Sequence, residues 1–241
     1  EFPEKASVAV DKSLWDWTMP GWVVHEYILA KLRQTSSFSP RFAWLVWRRF
    51  YYVLGPGAAF RLPSGLVWQQ NFWGLMKSGF YLTLSCNGAA QFFQHALAWW
   101  RMGRRTLPPR IWTMGDDTLT RMDPSICEEY RQSLSTTGCI VKLVEAAREF
   151  AGMRFEGDSI ARAVVTPLYP DKHKFIFRHI EPKLEREVAL GFSLLYALAR
   201  PGWQNIVFAK AGVTVGPMQR MWAKGLLKLD ILEIFPTWLK W

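Results

Sequence analysis

Cysteine is scarce in this 241-residue chain. Its three copies, Cys86, Cys127 and Cys139, are scattered without a CxxC pair. That excludes a disulfide framework and a thiolate zinc site, and fits a reducing compartment. Long apolar runs are also missing. The longest mainly apolar stretch, Val188 to Ala199, has twelve residues, too few to cross a bilayer core of about 30 Å. No basic-then-apolar signal pattern opens the chain, so it reads as lacking a transmembrane segment. The four histidines form no HExxH, and neither a G-x-S-x-G elbow nor a GxxxxGK[ST] loop occurs, which argues against zincin, serine-hydrolase and P-loop chemistry. Acids are outnumbered: 20 Asp and Glu face 30 Lys and Arg, for a net charge of +10. Such a surface attracts polyanions, nucleic acid or anionic lipid, without choosing between them.

What is present is a core-forming composition: 50% of residues are hydrophobic and 14 are tryptophans dispersed through the chain, so the chain should fold. Ser7 to Asp11 (SVAVD) alternates as a strand does, leaving Asp11 at the strand tip. Pro20 and Gly21 open a helix over 22–31, and 34–40 is loop. Phe42 to Tyr52 reads as an aromatic, basic helix, broken by Leu54 to Gly65 before a short strand-like piece at Leu66 to Gln70. A long helix is predicted from Phe80 to about Met102, ended by Gly103. Arg110 to Met114 and Thr118 to Met122 flank Gly115, Asp116 and Asp117 as a hairpin with carboxylates at its tip. Cys127 to Leu134 reads as helix, Gly138 to Val144 as an edge strand, Glu149 to Glu156 as another strand. Pro182 to Arg200 and Pro217 to Glu233 read as mainly helical.

Asp11, Asp16, Asp116 and Asp117 are four of only eight aspartates. Adjacent carboxylates repel and raise each other's pKa unless a cation neutralises them. Oxygen ligands suit Mg²⁺ or Mn²⁺, and two such ions suit in-line phosphoryl displacement. Alone, Gly-Asp-Asp reads most simply as a turn with solvated acids. Ser78-Gly79 followed by Thr83 and Asn87 puts the last two on one helix face below a hydroxyl and a flexible backbone. Alone, that segment reads as an ordinary helix start with a buried Asn.

Taken together and in order, the pieces resemble the palm of viral RNA-dependent RNA polymerases. Asp11-x4-Asp16 resembles motif A, Ser78-Gly79-x3-Thr83-x3-Asn87 motif B, and Gly115-Asp116-Asp117 motif C. The wording of WGLMKSGFYLTLSCN, TMGDDT and EFAGMRFEGD followed by PLYPDKHKF is most similar to the sobemovirus-like group of positive-strand RNA viruses. The resemblance covers roughly residues 5–180.

The resemblance implies an α+β fold: a palm with an antiparallel, RRM-like sheet and packed helices over 1–160, a partial fingers insertion at about 32–75, and a mainly helical thumb portion over 161–241. It implies two Mg²⁺ or Mn²⁺ ions held by Asp11 and Asp116, with Asp117 as supporting acid and Lys12 beside them. Asp16, Ser78 and Asn87 would test the nucleotide's 2′-hydroxyl, Thr83 would position Asp16 or the ribose network, and Gly79 would let the loop flex. Lys142 would take the place of the motif D lysine that protonates pyrophosphate. Glu149 to Phe155 resembles motif E. Arg48, Arg49, Arg104, Arg105, Arg110, Arg154, Lys172 and Lys174 are candidates for lining the RNA path, and Trp73 and Tyr81 for stacking on bases. The partners implied are RNA template and product, nucleoside triphosphates and other viral replication proteins, in replication complexes of the host cytoplasm. A fingers segment expected ahead of motif A is not seen, so the chain resembles the palm and thumb portion of a longer enzyme. Two alternatives stand beside this: a reverse transcriptase-like palm, and a non-catalytic basic RNA-binding fragment.

Overall fold

The computed structural model describes residues 2–200, 202, 213 and 215–227. The fold is α+β with antiparallel sheets. Its contacts divide the chain into two compact units, Glu1–Ala147 and Arg148–Trp241. The sequence puts the division at 160/161. It falls earlier because residues 149–156 pair with 164–167 in one sheet.

In the first unit, β1 (Val8–Lys12) is followed by the short α1 (Trp15–Thr18) and by α2 (Gly21–Arg33). Val23, Val24, Tyr27 and Ile28 recur at helical spacing on α2 and are its buried face. Pro40 occupies the first turn of α3 (Pro40–Leu54), where its missing N–H costs nothing. A two-stranded ribbon, β2 (Ala59–Arg61) with β3 (Val67–Gln69), leads to α4 (Thr83–Arg101). The hairpin β4 (Ile111–Met114) and β5 (Asp117–Thr120), α5 (Cys127–Ser135) and β6 (Val141–Ala146) complete the unit. The strands form one antiparallel sheet in the order β4-β5-β1-β6, so β1 and β5 are central and β6 is an edge, as its sequence suggests.

Alternation along β1 buries Val8, Val10 and Lys12 and turns Ala9 and Asp11 the other way. Val8 and Val10 join one core with Val24, Ile28, Cys86, Ala90, Ala98, Tyr130 and Leu134 from α2, α4 and α5. Helix α4 can lie close to the strands because small residues face them: a Cβ on Gly88 would stand 3.0 Å from Thr113 Oγ1. His95 on the same helix is buried, and burial pulls its pKa down to about 4, so the ring is neutral. The Pro109 carbonyl can only accept, so Nε2 donates to it at 2.9 Å and Nδ1 accepts from Tyr130 at 2.8 Å. This ties the basic loop 104–110 to α4 and α5.

The loop from β3 to α4 is strapped down by its own polar groups. The Gln70 amide nitrogen lies within 2.7 to 3.2 Å of the Leu54, Phe72 and Gly74 carbonyls, and the Lys77 ammonium donates to the Gln70 side-chain oxygen. Gly74 pairs with Pro20 at φ +122°, and a Cβ there would meet the Met19 carbonyl oxygen at 2.4 Å. Gly74→Ala is therefore expected to destabilise the chain by about 2 kcal/mol, the scale of a forced backbone plus a clash. A urea midpoint equal to that of the parent would disprove the steric account.

In the second unit β7 (Glu149–Phe150), β8 (Met153–Glu156) and β9 (Val164–Pro167) form an antiparallel sheet. The single strand expected over 149–156 is instead a hairpin. Ala151 and Gly152 both take positive φ, +52° and +72°, the turn geometry that matches strand twist. Helices α6 (Pro170–His179), α7 (Glu185–Leu195) and α8 (Pro217–Ala223) follow, with Phe177, Ala189, Tyr196 and Ala199 as core. The helix expected over 217–233 stops at Ala223: Gly225 has φ +69°, and the Leu226 N–H turns back to the Met221 carbonyl at 3.0 Å. Residues 228–233 lie outside the described residues.

Candidate active site

The β1–β5 register pairs Val8 with Thr120, Ala9 with Leu119 and Val10 with Thr118. Carried one step further it sets Asp11 across from Asp117. Met114 pairs with Asp117 around the two-residue turn Gly115-Asp116, and Gly115 takes the positive φ, +62°, that the first turn position needs. Three carboxylates from two distant parts of the chain thus stand at one end of the sheet's central strands. Their crowding registers electrostatically: the Asp117 carboxyl is raised above its ordinary pKa, first by burial, then by Asp116 and by Asp11.

Asp16 sits on α1 immediately after this strand end. The Ser78 hydroxyl donates to its Oδ2 at 2.7 Å, and the Met76 N–H donates to its backbone carbonyl at 2.8 Å. The strap through Gln70 therefore carries Ser78 to Asp16. Gly79, with φ +90° and open space where a Cβ would be, follows at once. Asn87 is buried, and its Oδ1 accepts from the Trp15 indole N–H at 2.9 Å, so it holds α1 against α4. Thr83, expected to position Asp16 or the ribose network, bonds within its own segment. Its hydroxyl faces the carbonyls of Lys77 and Phe80 at 3.0 and 2.6 Å and closes the turn that starts α4.

Comparison with protein-family models and with curated proteins found no match.

Lys142 donates to Asp11 Oδ2 at 2.7 Å. Lys12, expected beside the acids, lies on the opposite side of the strand. It is buried among α4 side chains, donating to Gln91 and, at 2.7 Å, to Gln94, with the Trp15 ring 4.8 Å away. Desolvation pulls its pKa down to about 8, while Cys139 and Asp116 push the other way. The Val8, Val10, Lys12 alternation is the signal that could have placed it. Gln91 and Gln94 carried no sequence signal of their own. Each leaves its amide nitrogen without a partner.

Several RNA-path candidates are engaged elsewhere. Arg104 pairs with Glu129 at 3.5 Å and lies over Trp99, and Arg48 lies over Trp44 and Tyr52 on α3. Arg49, Arg105 and Arg110 are exposed. In the second unit Arg154 pairs with Glu149 at 2.6 Å and Lys174 with Asp171 at 2.9 Å, while Lys172 is exposed. Of the two aromatics, Trp73 packs against His25, Trp47 and Tyr51, which removes it as a free stacking surface. Tyr81 is 100% exposed.

Among the described residues no group of three or more His, Cys, Asp or Glu side chains stands ready-made as a metal cage. The donor chemistry nevertheless fits a hard divalent cation, since carboxylate oxygens are what Mg²⁺ and Mn²⁺ take. Three mutually repelling acids also need neutralising charge, part of which Lys142 supplies here.

Proposed function

We propose that the chain is the catalytic palm of an RNA-dependent RNA polymerase, joining ribonucleotides to an RNA 3′-hydroxyl on an RNA template. The observation that carries this reading is the meeting of Asp11, Asp116 and Asp117 at one sheet end next to the Asp16–Ser78 hydrogen bond. Acids at a strand end and a hairpin turn, with a polar pair anchored on the short helix that follows that strand, suit phosphoryl transfer beside a sugar. Asp11 and Asp116 would hold divalent ions, with Asp117 in support. When bound, such ions neutralise the developing charge of the displacement and align attacking and leaving oxygens.

The protein's own work is positioning, the main source of acceleration where charge rather than covalent chemistry dominates. Asp16 and Ser78 orient the ribose. Their polar atoms are already paired with one another, so a ligand hydroxyl can join the pair, and a sugar lacking it leaves them as they were. Lys142 would give a proton to departing pyrophosphate. The net charge of +10 suits template and product backbones, whose binding should fall steeply with salt. The Asp16–Ser78 pair also favours ribose chemistry over a reverse transcriptase-like palm.

The test is primer extension on an RNA template with Mn²⁺, comparing ribo- with deoxynucleotides. Template-matched incorporation that prefers ribonucleotides is expected. Ser78→Ala should lower that preference about tenfold, the worth of one hydrogen bond to a charged group. Equal use of both sugars by the parent chain, or incorporation indifferent to template, would overturn the reading.

A further inference from the structure

The β1–β6 pairing is regular from Val8 opposite Ala146 to Asp11 opposite Leu143, and then Lys12 pairs with Val141. Lys142 is the extra residue of a β-bulge. A bulge breaks the alternation of the strand and re-aims a side chain. Here the residue that is re-aimed carries an ammonium, and its target is the Asp11 carboxylate, 2.7 Å away. Asp116 in the hairpin turn and Asp117 at the start of β5 stand at the same sheet end.

We propose that Lys142 acts as a stand-in cation: in the metal-free chain its ammonium holds the Asp11 oxygen that a divalent ion must take, so metal binding is an exchange that releases the lysine. This rests on the polymerase reading and deepens it by naming how the site is regulated. The same bulge serves both states. It brings the lysine to Asp11 when the ion is absent, and it leaves the lysine beside the site, charged and unclaimed by Asp11, once the ion is present. A chain regulated this way holds divalent ions weakly until a triphosphate adds its own negative charge, and the lysine leaves Asp11 only when the site is loaded.

The experiment is Mn²⁺ binding to the nucleotide-free chain, followed by water-proton relaxation, for the parent, Lys142→Met, Lys142→Arg and Asp116→Asn. Removing the competitor in Lys142→Met should tighten Mn²⁺ binding about two- to fivefold, the range set by an exposed ion pair. Lys142→Arg keeps a cation at the bulge and should bind Mn²⁺ as the parent does. Adding Mg²⁺ to the parent should also shift the Lys142 side-chain ¹³Cε resonance, identified by its loss in Lys142→Arg. Unchanged or weaker Mn²⁺ binding in Lys142→Met, or a Lys142 resonance indifferent to Mg²⁺, overturns the exchange while leaving the polymerase reading in place. Mn²⁺ binding that Asp116→Asn leaves untouched overturns that reading and the exchange with it.

Discussion

Asp116→Asn is expected to cut template-directed incorporation by about a thousandfold or more while the chain stays folded. Removing a single preorganised electrostatic group aimed at developing charge typically costs about 10² to 10³ in rate, and a carboxylate that also holds a cation should lie at the upper end. The fold should tolerate the change because Asp116 is an exposed second residue of a two-residue turn, where asparagine is as comfortable as aspartate. The substitution keeps shape and hydrogen-bonding capacity and deletes only charge. It also removes one of the acids that, after burial, raise the Asp117 carboxyl, and it removes a charge that favours the Lys12 ammonium; these act in opposite directions, so stability should change little. Single-nucleotide extension rates, read beside unfolding midpoints and RNA affinity, check this. A variant extending within tenfold of the parent would show that Asp116 is a turn acid and nothing more.

Much of this architecture could be read from the sequence wherever a short local pattern decides it. The alternation of β1, the Gly-Asp-Asp turn between two β-prone runs and the apolar spacing of α4 each depend on neighbours within a few residues. The misses come where a distant partner decides, or where a local turn forms without its usual residues. Thr83 sits at the spacing that suits a ribose contact, yet the carbonyls of its own turn lie nearer. Trp73 looked available for stacking until α2 and α3 surrounded it. Ala151-Gly152 lacks the Asn or Asp that usually announces a tight hairpin, and so passed as the middle of a strand. The bulge at Lys142 has no local signature at all, because it is a relation between two strands.

Lys12→Met should reveal a pH-dependent contribution to stability that the parent chain owes to one buried ammonium. The folded-state pKa is about 8 against an ordinary 10.5, so between those values the unfolded chain binds a proton more readily than the folded one. Stability of the parent therefore rises with pH across that window, and by linkage the full difference is about 3 kcal/mol. Methionine has similar reach and no charge. Near pH 7.5 it relieves the cost of burying an ion and gives up the donors to Gln91 and Gln94, effects of opposite sign and similar size. Near pH 10 the parent's lysine is mostly neutral when folded, and only the lost hydrogen bonds remain. The variant should thus be close to the parent in urea unfolding at pH 7.5 and fall behind by about 2 kcal/mol more at pH 10. Asp116 is one of the groups that favour the charged form of Lys12, so in an Asp116→Asn background the rise should begin at lower pH. A parent-minus-variant difference that is flat with pH would mean that this ammonium reaches water. The buried cation would then be no part of the charge balance beneath the acids.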